Sequence, residues 1–193
     1  MSLGARAVLD FWFLPAHDPA HGRPRREWFA KDDAFDASIA RRFGTVIDAA
    51  LAGGFQEWAD DPQGALARII VLDQFTRNVH RGTALAFAGD ALALATAQLL
   101  IDAGEDRYLS PVKRVFAYLP FEHSESLVMQ DRAVALFEAL TAEWPGAADY
   151  LDYARRHREV IARFGRFPHR NAQLGRKTTE VERQFLAQPG SSF

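Results

Sequence analysis

The chain has 193 residues, enough for one domain that buries roughly 70% of its unfolded surface. A hydrophobic share of 48% supplies a core and excludes wholesale disorder. The net charge of -2 gives no general pull toward nucleic acid or acidic membranes, and the lack of cysteine excludes disulfides, thiolate nucleophiles and cysteine-bound zinc.

From the N-terminus, "GARAVLDFWF" reads as a helix halted by Pro15. Asp10 interrupts its apolar run and no basic stretch precedes it, so the reading is of no signal peptide and, with no cysteine, of a cytoplasmic protein. Residues 15–26, rich in Pro, His and Arg, read as a loop. Asp33 is placed to cap a helix reaching the Gly53–Gly54 pair, with Phe35, Ile39, Phe43 and Val46 on one stripe. Asp61–Pro62 joins a cap to a proline at the first helical position and starts a helix running to about His80. Residues 89–103 form an Ala/Leu-rich helix ended by Gly104; its run "ALALATAQLLI" falls short of the about 20 residues a bilayer needs. Ser110–Pro111 starts a helix that Pro120 is expected to stop. Ser124 is expected to cap a helix to about Ala142, residues 147–164 form the next, and Thr179 with Glu182 makes a capping box for the last. No stretch alternates with period two. The expected class is all-α, one domain over residues 1–193, built of antiparallel helix pairs as a bundle or solenoid.

Three segments carry polar chemistry. The first, "LDQFTRNVHRGT" (residues 72–83), continues an apolar stripe as Asp73, Gln74, Arg77, His80 and Arg81. Asp73 and Arg77 stand i,i+4 in the favourable order; a solvated ion pair on a surfacing helix end is the plainer reading. The second, "YLPFEHSES" (residues 118–126), places Glu122, His123 and Glu125 on a loop entering a helix. Helix-terminus charge accounts for Glu125 but not for His123. The third, "FGRFPHRNAQLGR" (residues 164–176), sets Arg166, His169, Arg170 and Asn171 on irregular backbone around Pro168. His157, upstream on an apolar stripe, reads as a core histidine.

Brought together, Glu122 and Asp73 would face Arg77, Arg166 and Arg170, whose planar forks suit carboxylate or phosphate. There is no H-E-x-x-H, Walker A loop or G-x-S-x-G. His80, His123 and His169 match no strong zinc spacing, so no metal and no cofactor is assigned.

The motifs "VLDFWF", "WFAKDDAFD", "LDQFTRNVHRGTALAFAGDALAL", "YLPFEHSES", "RFGRFPHRNAQLGR" and "FLAQPGSSF" resemble domain of unknown function 924, a largely bacterial family, over nearly the whole chain. The resemblance implies a tetratricopeptide-like array of helix pairs and, by analogy, peptide or protein binding on a concave face. It implies no activity or catalytic residue. Three functional expectations stand. The leading one is binding of a small anionic molecule or peptide terminus by Asp73, Gln74, Arg77, His80, Glu122, His123, Arg166, His169, Arg170 and Asn171. The second is a hydrolase of small anionic substrates, with His123 or His169 as base and Glu122 as acid or metal ligand. The third is a structural module or partner of other proteins, with no role at nucleic acid or membrane.

Overall fold

A computed structural model describes residues 1–191, so the last two residues of the "FLAQPGSSF" motif lie outside it. The described residues are helical and contain no strand. Helices α1 (Leu3–Phe13), α2 (Asp33–Leu51) and α3 (Pro62–Ile69) come first. A π-helical segment, Ile70–Phe75, continues α3 into the short α4 (Thr76–Val79). Then follow α5 (Asp90–Asp102), α6 (Pro111–Glu122), α7 (Leu127–Glu143), α8 (Ala148–Phe164) and α9 (Glu180–Leu186).

Local chemistry sets most of these limits. Ser2 caps α1, and the buried residues Ala5, Val8, Leu9, Trp12 and Phe13 repeat at helical spacing. Arg25, in the following loop, donates from Nη1 to the Phe11 and Trp12 carbonyls at 2.8 Å, serving the open end of α1. Asp32, rather than Asp33, caps α2 by accepting from the Ala34 and Phe35 amides at 3.0 Å. Asp61 caps α3 with Pro62 at its first position, and Thr179 and Glu182 form the capping box of α9, both where the residue pattern placed them. Trp12, Phe13 and Trp28 are buried, while Phe29 is exposed.

Two expected boundaries shift. Pro120 does not stop α6, which runs two residues further. Every residue from Val115 to Glu122 is buried, so packing outweighs the amide bond to the Phe116 carbonyl that Pro120 cannot make. Glu122 is therefore the last residue of α6 and His123 its C-cap, not a loop entering α7. Ser124 is not the cap of α7 either: Ser126 is, and the Ser124 hydroxyl accepts from the Ser126 amide.

One apolar core joins α1 through α8, with a smaller patch of Val160, Ile161 and Phe167 beside Phe164 and Phe185. The helices α6, α7 and α8 pack in series, whereas α3 is central and touches α1, α5 and α6. The π segment lies against α2 and α5. Residues Ala84–Asp102, longer than the run read from sequence, would cross a membrane by length and composition alone. The stretch bends at Gly89 and carries the ion-paired Asp90 within it.

Gly89 positions the site. A Cβ there would sit 2.1 Å from the Leu72 carbonyl oxygen, so only glycine lets the start of α5 meet the π segment. Gly89→Ala is expected to lower stability by about 1–3 kcal/mol by forcing these backbones apart. Gly44→Ala, inside α2 with nothing within 4 Å of the added carbon, is expected to raise it by about 0.5–1 kcal/mol. Urea midpoints of the two variants check both signs.

Candidate functional site

The π segment widens the turn by one residue, and Asp73 and Gln74 within it are both buried. The Thr76 hydroxyl donates to the Val71 carbonyl at 2.9 Å and steadies the widened turn. Asp73 is fully buried. Its Oδ1 accepts from His123 Nδ1 at 2.7 Å and from Arg77 Nη1 at 3.0 Å, and its Oδ2 accepts from Gln74 Nε2 at 2.6 Å. Arg77 reaches on to Asp90 through Nη2 at 3.0 Å. Asp90 also accepts from Arg170 Nη1 at 3.0 Å. The Arg170 guanidinium lies between two rings, 4.7 Å from the centre of Phe87 and 4.5 Å from that of Phe167. His157 brings Nδ1 to 2.9 Å from the Tyr153 carbonyl and 3.1 Å from Glu122 Oε1. Its ring stands edge-on to Phe167, which in turn neighbours His169.

Residues from all three polar segments therefore share one centre: Asp73, Gln74 and Arg77; Glu122 and His123; His169 and Arg170. The other three expected members do not join it. Arg166 pairs with Glu182 at 2.7 and 2.9 Å and ties its segment to α9. Asn171 is buried and accepts from Arg176 Nε at 3.0 Å, so it holds the segment's own backbone in place. His80 is the C-cap of α4, and no contact joins its ring to the cluster among the described residues. The stripe read along residues 73–81 splits because the π segment changes its phase: Asn78 and Arg81 turn to Asp36 on α2.

Sequence reasoning missed Asp90, Phe87 and Phe167, and it read His157 only as a core residue. Asp90 and Arg170 are 80 positions apart, and no local pattern links them. Glu125 had been ascribed to helix-terminus charge. It instead takes a two-pronged contact from Arg176 at 2.7 and 3.0 Å and accepts from the Phe167 amide at 2.7 Å. Gln130 donates to the carbonyls of Glu122 and Ser124 at 2.6 Å and fixes the turn that carries His123.

Burial separates the protonation states. Burial pushes the Asp73 carboxyl up, but Arg77 and His123 outweigh it and hold the group well below the carboxylate range. Burial, with the Asp73 charge nearby, pushes Glu122 up to about 8. Burial and Arg77 push His123 down, partly offset by Asp73. Burial takes His157 down to about 3 and, with Arg170, His169 down to about 4. Burial and Arg77 lower Arg170 to about 10, so it stays charged.

At neutral pH the cluster thus holds two carboxylates, two guanidinium ions, neutral imidazoles and one neutral carboxylic acid. An ionised Asp73 only accepts, so His123 carries its proton on Nδ1 and leaves Nε2 as a lone pair. The His157–Glu122 contact at 3.1 Å is accordingly a polar contact between neutral groups rather than an ion pair. Among the described residues no group of three or more His, Asp or Glu side chains is arranged to hold a metal. Two surface hollows, beside Arg26–Asp32 and beside Arg163–Glu182, lie away from the cluster.

Linkage gives the pH dependence a sign. As pH falls below the ordinary 6.5, the unfolded chain takes up protons that His157 and His169 refuse until about 3 and 4, so stability is lost on the acid side. Glu122 acts oppositely: the unfolded chain releases its proton near 4.5 and the fold only near 8, so stability falls as pH rises across that window. Two histidines outweigh one carboxyl below 6.5, which places the maximum near pH 6.5. Stability should then drop by about 1 kcal/mol by pH 8. Glu122→Gln should abolish that alkaline loss. Urea midpoints followed by circular dichroism check it, and a variant that declines in parallel with the parent would contradict it.

No curated protein matches the chain. A solved structure of ATU0120, a protein of unknown function from Agrobacterium tumefaciens, superposes with a TM-score of 0.82 at 40% sequence identity, over 95% of this chain and 96% of that one. The sequence profile of a bacterial protein family of unknown function, DUF924, matches residues 8–190. With that span and that identity, the chain belongs to the DUF924 family.

Proposed function

We propose that the cluster binds a small molecule carrying an anionic group, with Arg170 as its anchor. The carrying observation is the state of that guanidinium. Its central carbon lies over the rings of Phe87 and Phe167, one nitrogen goes to Asp90, and a buried Nε has no partner. A planar fork with a donor left over fits a carboxylate or phosphate oxygen.

Charge arithmetic narrows the role of each arginine. Arg77 is occupied by Asp73 and Asp90 and has little left to offer a ligand. Arg170 shares Asp90 with Arg77, so part of its charge is uncompensated by direct contact. The His123 lone pair at Nε2 adds an acceptor for a ligand hydroxyl or amide. Buried charges and neutralised imidazoles on this scale oppose stability, and their concentration in one place supports a working site over a structural lock.

The Arg170 Nε–H signal in a nitrogen–proton spectrum tests the reading. Titration with succinate or inorganic phosphate should shift it saturably, and Arg170→Lys should weaken binding at least tenfold without unfolding the chain. A response that is linear in concentration and matched by chloride would contradict the anchor.

A further inference from the structure

The same centre holds both halves of an acid–base pair. Tyr153 offers His157 a carbonyl, which only accepts, so His157 Nδ1 carries a proton. Glu122 Oε1 lies 3.1 Å from that same protonated nitrogen, which leaves no room for a second proton between them. The remaining oxygen of Glu122, Oε2, is buried and has no partner, and it is the oxygen left to bear the carboxylic proton. The next residue, His123, has Nδ1 committed to Asp73 and its other nitrogen available as a base. Consecutive residues at the end of α6 thus offer one donor and one acceptor, while the charges facing them are Asp73 from the π segment, Arg77 from α4, Asp90 from α5 and Arg170 from the C-terminal segment.

We propose that Glu122 and His123 act together to hydrolyse a short ester or amide that carries a carboxylate. The inference rests on Arg170 binding that carboxylate, as above. His123 Nε2 takes a proton from water as the water oxygen bonds to the acyl carbon. The carbon–heteroatom bond breaks, its electron pair leaves with the alcohol or amine, and the Glu122 Oε2 proton neutralises that leaving group. Imidazolium and carboxylate then return to their starting forms by proton exchange through water, so one water is consumed per turnover. Substrate enters past Asp90, Arg77 and His123, whose side chains are 22%, 20% and 15% exposed. The environments that hold Asp73 ionised and Glu122 protonated keep the two carboxyl groups in different roles.

Leaving-group chemistry tests the proposal. Ethyl hydrogen succinate needs its alcohol protonated, whereas p-nitrophenyl hydrogen succinate releases a stable anion without help. Glu122→Gln should slow the ethyl ester about 100-fold or more and the nitrophenyl ester less than tenfold, while His123→Gln slows both. The unmodified protein should also lose activity on the ethyl ester as pH rises through about 8, a limb read without any variant. Equal losses on the two esters, or a flat alkaline limb, would overturn the acid role of Glu122. No turnover of either ester, with succinate still shifting the Arg170 signal, would overturn the acid–base pair and leave the binding reading standing. No turnover and no shift would sink both.

Discussion

A single buried carboxylate organises this molecule's polar interior. Asp73 has no contact with solvent, yet it stays ionised because His123, Arg77 and Gln74 all donate to it. Its charge has consequences two residues deep in every direction. It fixes the tautomer of His123, helps raise Glu122 out of the carboxylate range, and holds Arg77 where Asp90 can share it with Arg170. An ion of this kind is costly to bury alone and tolerable only when its lone pairs are filled. Every residue from Gly64 to Thr76 is buried, so the chain around Asp73 is enclosed on all sides and its neighbours can fill those lone pairs.

The C-terminal segment closes the arrangement by dividing its arginines between two tasks. Arg166 and Arg176 anchor the segment, the first to Glu182 on α9 and the second to Glu125 beyond α6. Arg170 alone turns inward. Glu125 accepts from the Phe167 amide as well as from Arg176, so one carboxylate sets both the segment's position and the ring on which Arg170 lies. The anchors leave Arg170 little conformational freedom to lose on meeting a ligand, which favours recognition over a flexible surface arginine.

The helices were legible in the sequence because caps and apolar spacing are local. Asp61–Pro62 and the Thr179–Glu182 box specify their helix starts without reference to the rest of the chain. Pro120 misled because burial of the last turns of α6 outweighs the amide bond it cannot make. The grouping of Asp73, Arg77, Glu122, His123, His169 and Arg170 was also readable, since each sits beside a break in helical order where side chains converge. Arg166 and Asn171 share that neighbourhood but serve the backbone, and only coordinates separate a residue that uses a cluster from one that supports it. Asp90 and Phe87 were illegible, because their role comes from Gly89 meeting the π segment, a contact with no counterpart in local pattern. His157 shows the opposite limit: its apolar stripe correctly placed it inside, and nothing in that stripe disclosed Glu122 at 3.1 Å.

The imidazole nitrogen shifts of His123 test this account most directly. If Asp73 is the ionised hub, spectra at neutral pH show a neutral ring protonated at Nδ1, and Asp73→Asn destroys that preference. A ring protonated only at Nε2, or doubly protonated at neutral pH, would contradict the central role given to the buried carboxylate.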